Sequence, residues 1–262
     1  MLQRDFNGPD HLPQCHLSIT FTINQLNYAI FDQDGVMVHH TSLPDISFNS
    51  AATIQALKDD AKLNMTFANI TVVAMTCNAH QLSFKDERIS SILPSLEFKN
   101  IKIEKIPGSA VYNYYGLTQA QENLLKEILH NQQYNLYNFV FTLSSYFIGI
   151  ERPLVHLHLE EKLLTIFIQK DGVLQFFNSY GYKSSNDILY FVMAACKMNE
   201  IDLVHDQKTV SGWIEKDSEI FNSLTKFLGN LNIIEDTTFK IQSSPNHKPH
   251  YYFAHYAGKA CV

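Results

Sequence analysis

Residues 18–40 read SITFTINQLNYAIFDQDGVMVHH, and residues 155–177 repeat the same pattern as VHLHLEEKLLTIFIQKDGVLQFF. Aligned without a gap at an offset of 137 residues, the two stretches place Gly172 on Gly35. Each copy predicts a strand, a tight turn, a second strand, an Asp-Gly hairpin turn and a third strand. The repeat therefore predicts a duplicated α/β fold with a cleft between its two halves.

Length and composition set the class of protein. A chain of 262 residues has room for one large or two moderate domains, and its 45% hydrophobic content with 18 Phe and 13 Tyr predicts a globular core. The net charge of −6, without a cluster of lysines and arginines, argues against a nucleic-acid-binding surface.

The chain lacks sequence features that direct export or membrane insertion. The polar residues 1–14 lack the apolar core of a signal peptide, and the longest apolar stretch, residues 139–150, is too short for a membrane span. No CxxC motif occurs, which favours free thiols in a reducing compartment over a disulfide or zinc site. We therefore expect a cytoplasmic protein with no membrane insertion. The four widely spaced cysteines are Cys15, Cys77, Cys196 and Cys261.

The predicted elements divide the chain into three parts. Residues 1–14 are predicted to be a loose tail, residues 15–152 the first half and residues 153–262 the second half, with the boundary at Pro153. Each half is predicted to be a mixed sheet flanked by helices. Helices are predicted to begin at Thr118 and at one residue of each of three pairs, which are Asn49 or Ser50, Ser184 or Ser185, and Asp217 or Ser218. The runs 137–143 and 251–256 are predicted to be strands because they are rich in aromatic residues.

The ten glycines exclude two common phosphate-binding motifs. No GG and no GxG occurs, whereas backbone amides approach a phosphate closely only where glycines give room. A P-loop and a dinucleotide-binding fingerprint are therefore excluded. The first strand, residues 15–23, holds no carboxylate, which argues against a ribonuclease H-type two-metal nuclease.

His156 and His158 form an HxH pair. On a strand, both imidazoles point to one face, where they could share a metal ion. The alternative is that neighbouring polar groups satisfy both rings, and we favour it because no third ligand is fixed by spacing. We therefore expect no metal and no cofactor. The candidate third ligands are Glu160, His205, His250 and His255.

The two hairpins with their Asp-Gly turns, the run VSGWIEKDSEIFNSL at residues 210–224 and the aromatic C-terminal residues resemble one family. This is DUF3822, a family of unknown function found chiefly in Bacteroidetes. The second half is also similar to the type IV pilus assembly ATPase-like proteins. The resemblance covers most of the chain and implies two ribonuclease H-like halves, the actin-like ATPase fold.

The resemblance also implies where nucleotide contacts would lie. Active members carry an acidic residue and a glycine in the first hairpin of each half, and a double glycine beside the adenosine. The matching positions here are Phe21 and Ile23, then His158 and Glu160, and finally the SGW run that ends at Trp213. Because all three elements are altered, the resemblance implies the actin-like fold but speaks against ATP hydrolysis.

The sequence thus favours a non-catalytic pseudo-ATPase that acts through contacts with an unknown protein partner, although enzymatic activity stays open. His158, Glu160 and Trp213 are predicted to line the cleft and to occupy the former phosphate and base positions. A nucleotide or small-ligand binder that uses an altered cleft is the alternative. A metal-dependent hydrolase built on His156 and His158 is the third hypothesis.

Overall fold

The computed structural model describes residues 2–5, 14–75, 80–82, 85, 100–242 and 248–262. Its strands are β1 (Leu2–Asp5), β2 (His16–Phe21), β3 (Leu26–Phe31), β4 (Val36–Leu43), β5 (Asn69–Ala74), β6 (His80–Leu82), β7 (Lys102–Lys105), β8 (Tyr112–Tyr115), β9 (Asn135–Asn138), β10 (Leu154–Leu159), β11 (Leu163–Lys170), β12 (Val173–Gly181), β13 (Gln207–Gly212), β14 (Leu231–Ile233) and β15 (Lys240–Ile241). Its helices are α1 (Ala51–Lys58), α2 (Gln119–Ile128), α3 (Phe139–Tyr146), α4 (Ser185–Met198), α5 (Glu219–Leu228) and α6 (Phe253–Lys259), which follows a 3-10 turn at Pro249–Tyr252.

Two large sheets share one strand order. The first runs β1-β4-β3-β2-β5-β9 with β15 also paired to β4, and the second runs β12-β11-β10-β13-β14. In each sheet an antiparallel three-stranded meander is followed by two parallel strands. This repeated order confirms the predicted fold class, two mixed sheets flanked by helices. A small third sheet, β6-β8-β7, is inserted in the first half.

The gapless alignment of the two copies is wrong by one residue over the first two strands, so Leu26 corresponds to Leu164 and not to Leu163. The hairpins close through Thr22 N to Gln25 O at 3.0 Å and through Glu160 N to Leu163 O at 2.8 Å. Thr22 therefore corresponds to Glu160, an offset of 138 residues. The first Asp-Gly turn contains one more residue than the second, and this extra residue restores the offset of 137 at Gly35. A shift of one residue matters because it exchanges the two faces of a strand.

The molecule is built in five layers. The structure confirms the cap at Thr118 and selects Ser50, Ser184 and Ser218 from the predicted pairs. Each cap accepts a hydrogen bond from a backbone N–H of the helix that follows. Helices α1 and α2 pack on the outer face of the first sheet, and α4 and α5 on the outer face of the second. Between the sheets lies one continuous core that includes α3 and α6. The inner faces of both sheets are therefore covered by the same middle layer.

The structure corrects two predicted strands. The run 251–256 ends the 3-10 turn and begins helix α6, and the run 137–143 is strand only to Asn138 and helix from Phe139. Helix α6 lies between two sheets, so its residues from Phe253 to Gly258 are all buried. A helix that is covered on every side is apolar all round and lacks the stripe that identifies a surface helix.

Two segments from outside the predicted first half join the first sheet. Leu2–Asp5, from the predicted loose tail, pair with β4, and so does Lys240–Ile241 from the predicted second half. The division at residues 152 and 153 stays a prediction. None of the helices in the described part of the chain has both the length and the apolar character of a membrane span.

Candidate functional site

The first hairpins of the two halves approach each other at one end of the middle layer. Lys162, in the turn of the second hairpin, lies 3.0 Å from the carboxylate of Asp45, which also accepts a hydrogen bond from Asn24 in the first hairpin at 2.9 Å. All three groups are exposed, so solvent screens the ion pair and it adds little to stability. It nevertheless joins the two halves where a cleft would open.

His158, on strand β10 of the second hairpin, is completely buried. Its ring packs on Phe139 at 5.0 Å and Phe253 at 6.1 Å between ring centroids. Its Nδ1 is 2.8 Å from Ser211 Oγ, and its Nε2 is 3.1 Å from Glu160 Oε1. The structure thus brings the predicted residues His158 and Glu160 into direct contact.

A single chain of hydrogen bonds runs through this buried polar site. His156 Nδ1 is 2.9 Å from Thr209 Oγ1, and its Nε2 is 3.0 Å from Ser211 Oγ, which also contacts His158. Hydrogen bonds from Thr209 to His156, from His156 to Ser211, from Ser211 to His158 and from His158 to Glu160 Oε1 pair all four ring nitrogens and both hydroxyls. Burial, followed by the nearby His158, holds the pKa of His156 well below its usual range.

The same contacts account for the HxH pair without a metal ion. All four ring nitrogens of His156 and His158 have a side-chain partner in the protein. Among the described residues, no group of three His, Cys, Asp or Glu side chains is arranged to hold a metal. The other predicted ligands have other partners: His205 contacts Asp202, His250 contacts the carbonyl of Ile214, and His255 contacts Ser18.

Trp213 contacts a different set of side chains. Its ring stacks on Tyr251 at 4.9 Å and lies 6.0 Å from Tyr252 and 6.5 Å from His40. It packs against the central core that fills the space between the sheets. The indole is therefore a packing group that joins β13 to the 3-10 turn and to the first sheet.

Gly212 fixes the path of the chain into Trp213. Its φ is +87°, and a Cβ at this position would lie 2.0 Å from the carbonyl oxygen of Leu159. The next amide, Trp213 N, donates to that same oxygen at 2.7 Å. Only glycine permits this positive φ together with such a close approach of two backbones.

Several site residues were missed because of the misaligned strand. The counterparts of His158 and Glu160 in the first half are Thr20 and Thr22, whereas Phe21 packs in the outer core and Ile23 is exposed. The alternation of SITFT, which sets Ser18, Thr20 and Thr22 on one face, was the signal that could have identified them. The 237-residue separation between Ser18 and its partner His255 left no local signal for that contact.

A cavity of about 550 Å³ lies near the carboxyl ends of the parallel strands β13 and β14. Its wall carries the exposed ion pairs Lys248–Glu215 and Lys216–Glu235. The lining residues are Glu215, Lys216, Asp217, Ile233, Ile234, Glu235, Asp236, Thr237, Lys248, Pro249 and His250. The cavity is therefore lined both by charged side chains and by the aliphatic side chains of Ile233 and Ile234.

Replacing Ser211 with alanine tests the hydrogen-bond chain. Ser211→Ala leaves His156 Nε2 and His158 Nδ1 without their shared partner, and each unsatisfied buried group costs about 1–3 kcal/mol. We expect the unfolding free energy, measured by urea titration, to fall by about 2–3 kcal/mol. The matched control is Ser144→Ala, because Ser144 Oγ is buried without a hydrogen-bond partner. Equal losses in the two variants would refute the proposed chain.

Comparison with known proteins places the chain in a family. The family model described as "Protein of unknown function (DUF3822)" matches residues 5–231. No curated protein matches the sequence significantly.

Solved structures share the fold at low sequence identity. A protein from Bacteroides thetaiotaomicron, described as having an actin-like ATPase fold and unknown function, is similar with a TM-score of 0.66 and 14% identity over 84% of this chain and 91% of that one. The PilM–PilN type IV pilus biogenesis complex gives 0.58 and 10% identity over 94% and 96%. The ethanolamine utilization protein EutJ from Carboxydothermus hydrogenoformans gives 0.51 and 9% over 95% and 90%. These likenesses show the actin-like fold.

Proposed function

Because this chain belongs to the DUF3822 family and has the actin-like ATPase fold, we propose that it is a cytoplasmic pseudo-ATPase that binds a partner protein. Its role in this proposal is to present the surfaces of a rigid, two-lobed frame. Catalysis plays no part in it. A protein of the same fold is found in the PilM–PilN complex, where it assembles with another protein.

One observation carries the proposal: the buried side chains of His158 and Glu160 occupy the first hairpin of the second half, where the resemblance places the phosphate contacts. His158 is held between two phenylalanine rings and by two hydrogen bonds, and Glu160 beside it is almost fully buried. A phosphate at this place would meet a carboxylate, which repels it, and a hairpin turn without glycine. Both features oppose binding of a triphosphate.

Calorimetric titration with Mg-ATP and Mg-ADP tests the loss of nucleotide binding. We expect no saturable heat at millimolar nucleotide and no release of phosphate above the buffer rate. An actin-like ATPase of known activity, titrated in the same buffer, is the positive control. Saturable ATP binding that is lost in His158→Arg would overturn the proposal.

The partner is tested by purification from the native host. We expect one protein to be recovered in a fixed ratio and to bind again when both are purified separately. Recovery of the chain alone in repeated experiments would contradict a role in protein contact. Cell fractionation tests the cytoplasmic location.

A small-ligand binder is the second candidate, and the cavity beside β13 and β14 favours it. Its volume of about 550 Å³ falls within the range of about 300–1,000 Å³ that is usual for small-molecule sites. Pockets at the carboxyl ends of parallel strands are common binding places in α/β proteins. A saturable rise in melting temperature with a non-nucleotide metabolite would support this candidate.

A further inference from the structure

The 3-10 turn at Pro249–Tyr252 places His250 in the wall of the cavity beside β13 and β14. The residue is only 5% exposed, and its Nε2 donates to the carbonyl oxygen of Ile214 at 2.9 Å. Burial lowers the pKa of His250, so the ring is neutral and its Nδ1 is a hydrogen-bond acceptor. No described residue donates to this nitrogen. Its donor therefore has to come from what the cavity holds.

The wall of the cavity carries an excess of negative charge. Asp236 accepts hydrogen bonds from the hydroxyls of Tyr146 and Thr238, which are uncharged and leave its charge in place. Asp217 is exposed, and its carboxylate has no partner within the described part of the chain. Two further carboxylates of the wall form ion pairs with its two lysines. The cavity therefore favours a positively charged ligand. The charged lining residues are Glu215, Asp217, Glu235, Asp236, Lys216 and Lys248.

Aliphatic groups in the same wall favour an organic cation over a metal ion. Ile233, Ile234 and the ring of Pro249 line the cavity. A metal ion would gain nothing from these groups, whereas alkyl carbon packed on them is removed from water. In the part of the chain that the structure describes, no three His, Cys, Asp or Glu side chains are arranged to hold a metal ion.

We propose that this cavity binds an aliphatic amine in its ammonium form. An N–H of the ammonium group donates to His250 Nδ1, the carboxylates of Asp217 and Asp236 balance its charge, and its alkyl chain packs on the isoleucines. A volume of about 550 Å³ leaves room for a chain of several carbons. The inference rests on the second candidate function, a small-ligand site, and gives that ligand a chemical class.

Calorimetric titration of the full chain with cadaverine tests the proposal. Pentanediol and glutarate carry hydroxyls and carboxylates on a carbon chain of the same length, so they separate charge from size. At constant ionic strength we expect saturable binding of cadaverine, and binding of the other two compounds that is at least about tenfold weaker. Equal binding of all three would overturn the ammonium assignment and leave a small-ligand site standing. Binding of none would overturn the proposal, while the melting-temperature test with other metabolites decides the second candidate separately.

Variants of Asp217 test the role of charge. Asp217→Asn removes an uncompensated charge with little change in shape, and we expect cadaverine to bind about threefold more weakly or worse. Asp217→Glu keeps the charge and should retain the wild-type affinity. Asp171→Asn is the matched control, because Asp171 lies in the turn between β11 and β12 at the opposite end of the sheet. Equal affinities of Asp217→Asn and the wild type would overturn the charge assignment.

Nitrogen NMR of the histidine rings tests the hydrogen bond to His250 without a change at this buried position. An unprotonated ring nitrogen resonates at lower frequency when it accepts a stronger hydrogen bond, and an ammonium group is a stronger donor than water. We expect the Nδ1 resonance of His250 to move to lower frequency in proportion to the bound fraction of cadaverine. A resonance that stays in place at saturation would overturn the proposal.

Discussion

Gly212→Ala is expected to lower the free energy of unfolding by about 2–6 kcal/mol, which is a large part of the about 5–15 kcal/mol that usually stabilises a protein. Two costs add. A residue other than glycine at a φ of +87° is strained by about 1–3 kcal/mol. The added Cβ also meets the backbone oxygen of Leu159 at 2.0 Å, and forced repacking in a close-packed interior costs about 1–3 kcal/mol or more. Urea titration followed by circular dichroism measures the sum.

Gly149→Ala is the matched control for this variant. Gly149 has nearly the same φ, +85°, but a Cβ there would meet no atom of the described residues within 4 Å. Its alanine variant therefore carries the backbone strain without the clash, and we expect a loss of about 1–3 kcal/mol. If both variants lost the same amount, the close contact between Gly212 and Leu159 would not exist in solution.

Acid is expected to destabilise the protein well above the pH at which carboxylates become protonated. Burial lowers the pKa of His16 to about 4, and the charge of Lys259 adds to this effect. Burial also lowers the pKa of His255 to about 3, with His158 as the second cause. In the unfolded chain both have a pKa near 6.5.

The sign of the effect follows from proton binding. Below pH 6.5 the unfolded chain takes up protons that the folded protein does not, so stability is full above pH 6.5 and falls as the pH drops towards 4. Each histidine contributes about 1.4 kcal/mol per pH unit, and the two together cost about 5 kcal/mol between pH 6.5 and 4.5. Urea midpoints measured at half-unit steps give this slope.

Two variants identify the groups responsible. His255→Asn keeps a polar atom near Ser18 but removes the imidazole that titrates. The slope of the unfolding free energy against pH should therefore fall by the contribution of one histidine. His205→Gln, at a side chain that is 80% exposed, should leave the slope unchanged. A stability that is flat from pH 6.5 to 4.5 in the wild type would show that the middle layer admits water.

The parts of the fold that sequence could predict are those with local signals. The hairpins were found from their Asp-Gly turns, and four helices from a capping residue followed by an apolar stripe. The run 251–256 is predicted to be a strand because its three tyrosines and Phe253 favour strands when considered alone. Pro249, which often begins a helical turn, and the small residues Ala254, Ala257 and Gly258 at helical spacing were the opposing signals.

The site was predicted only where its residues are close in sequence. His158 and Glu160 lie two residues apart on one strand, so their shared face followed from strand geometry. Ser211 and Phe253 enter the same site from distant elements, and no spacing in the sequence connects them. The error of one residue in the first half arose because the alignment was anchored on the Asp-Gly turns, which differ in length.

The position of α6 bears on how the molecule folds. His255 contacts Ser18 across 237 residues, so the middle layer forms only after a very long loop has closed. Because the entropy of loop closure grows with the logarithm of length, this distance slows folding much more than it weakens the folded state. We expect the docking of α6 to be the slow step of folding. Until it occurs, the inner faces of both sheets stay exposed to solvent and are prone to aggregation.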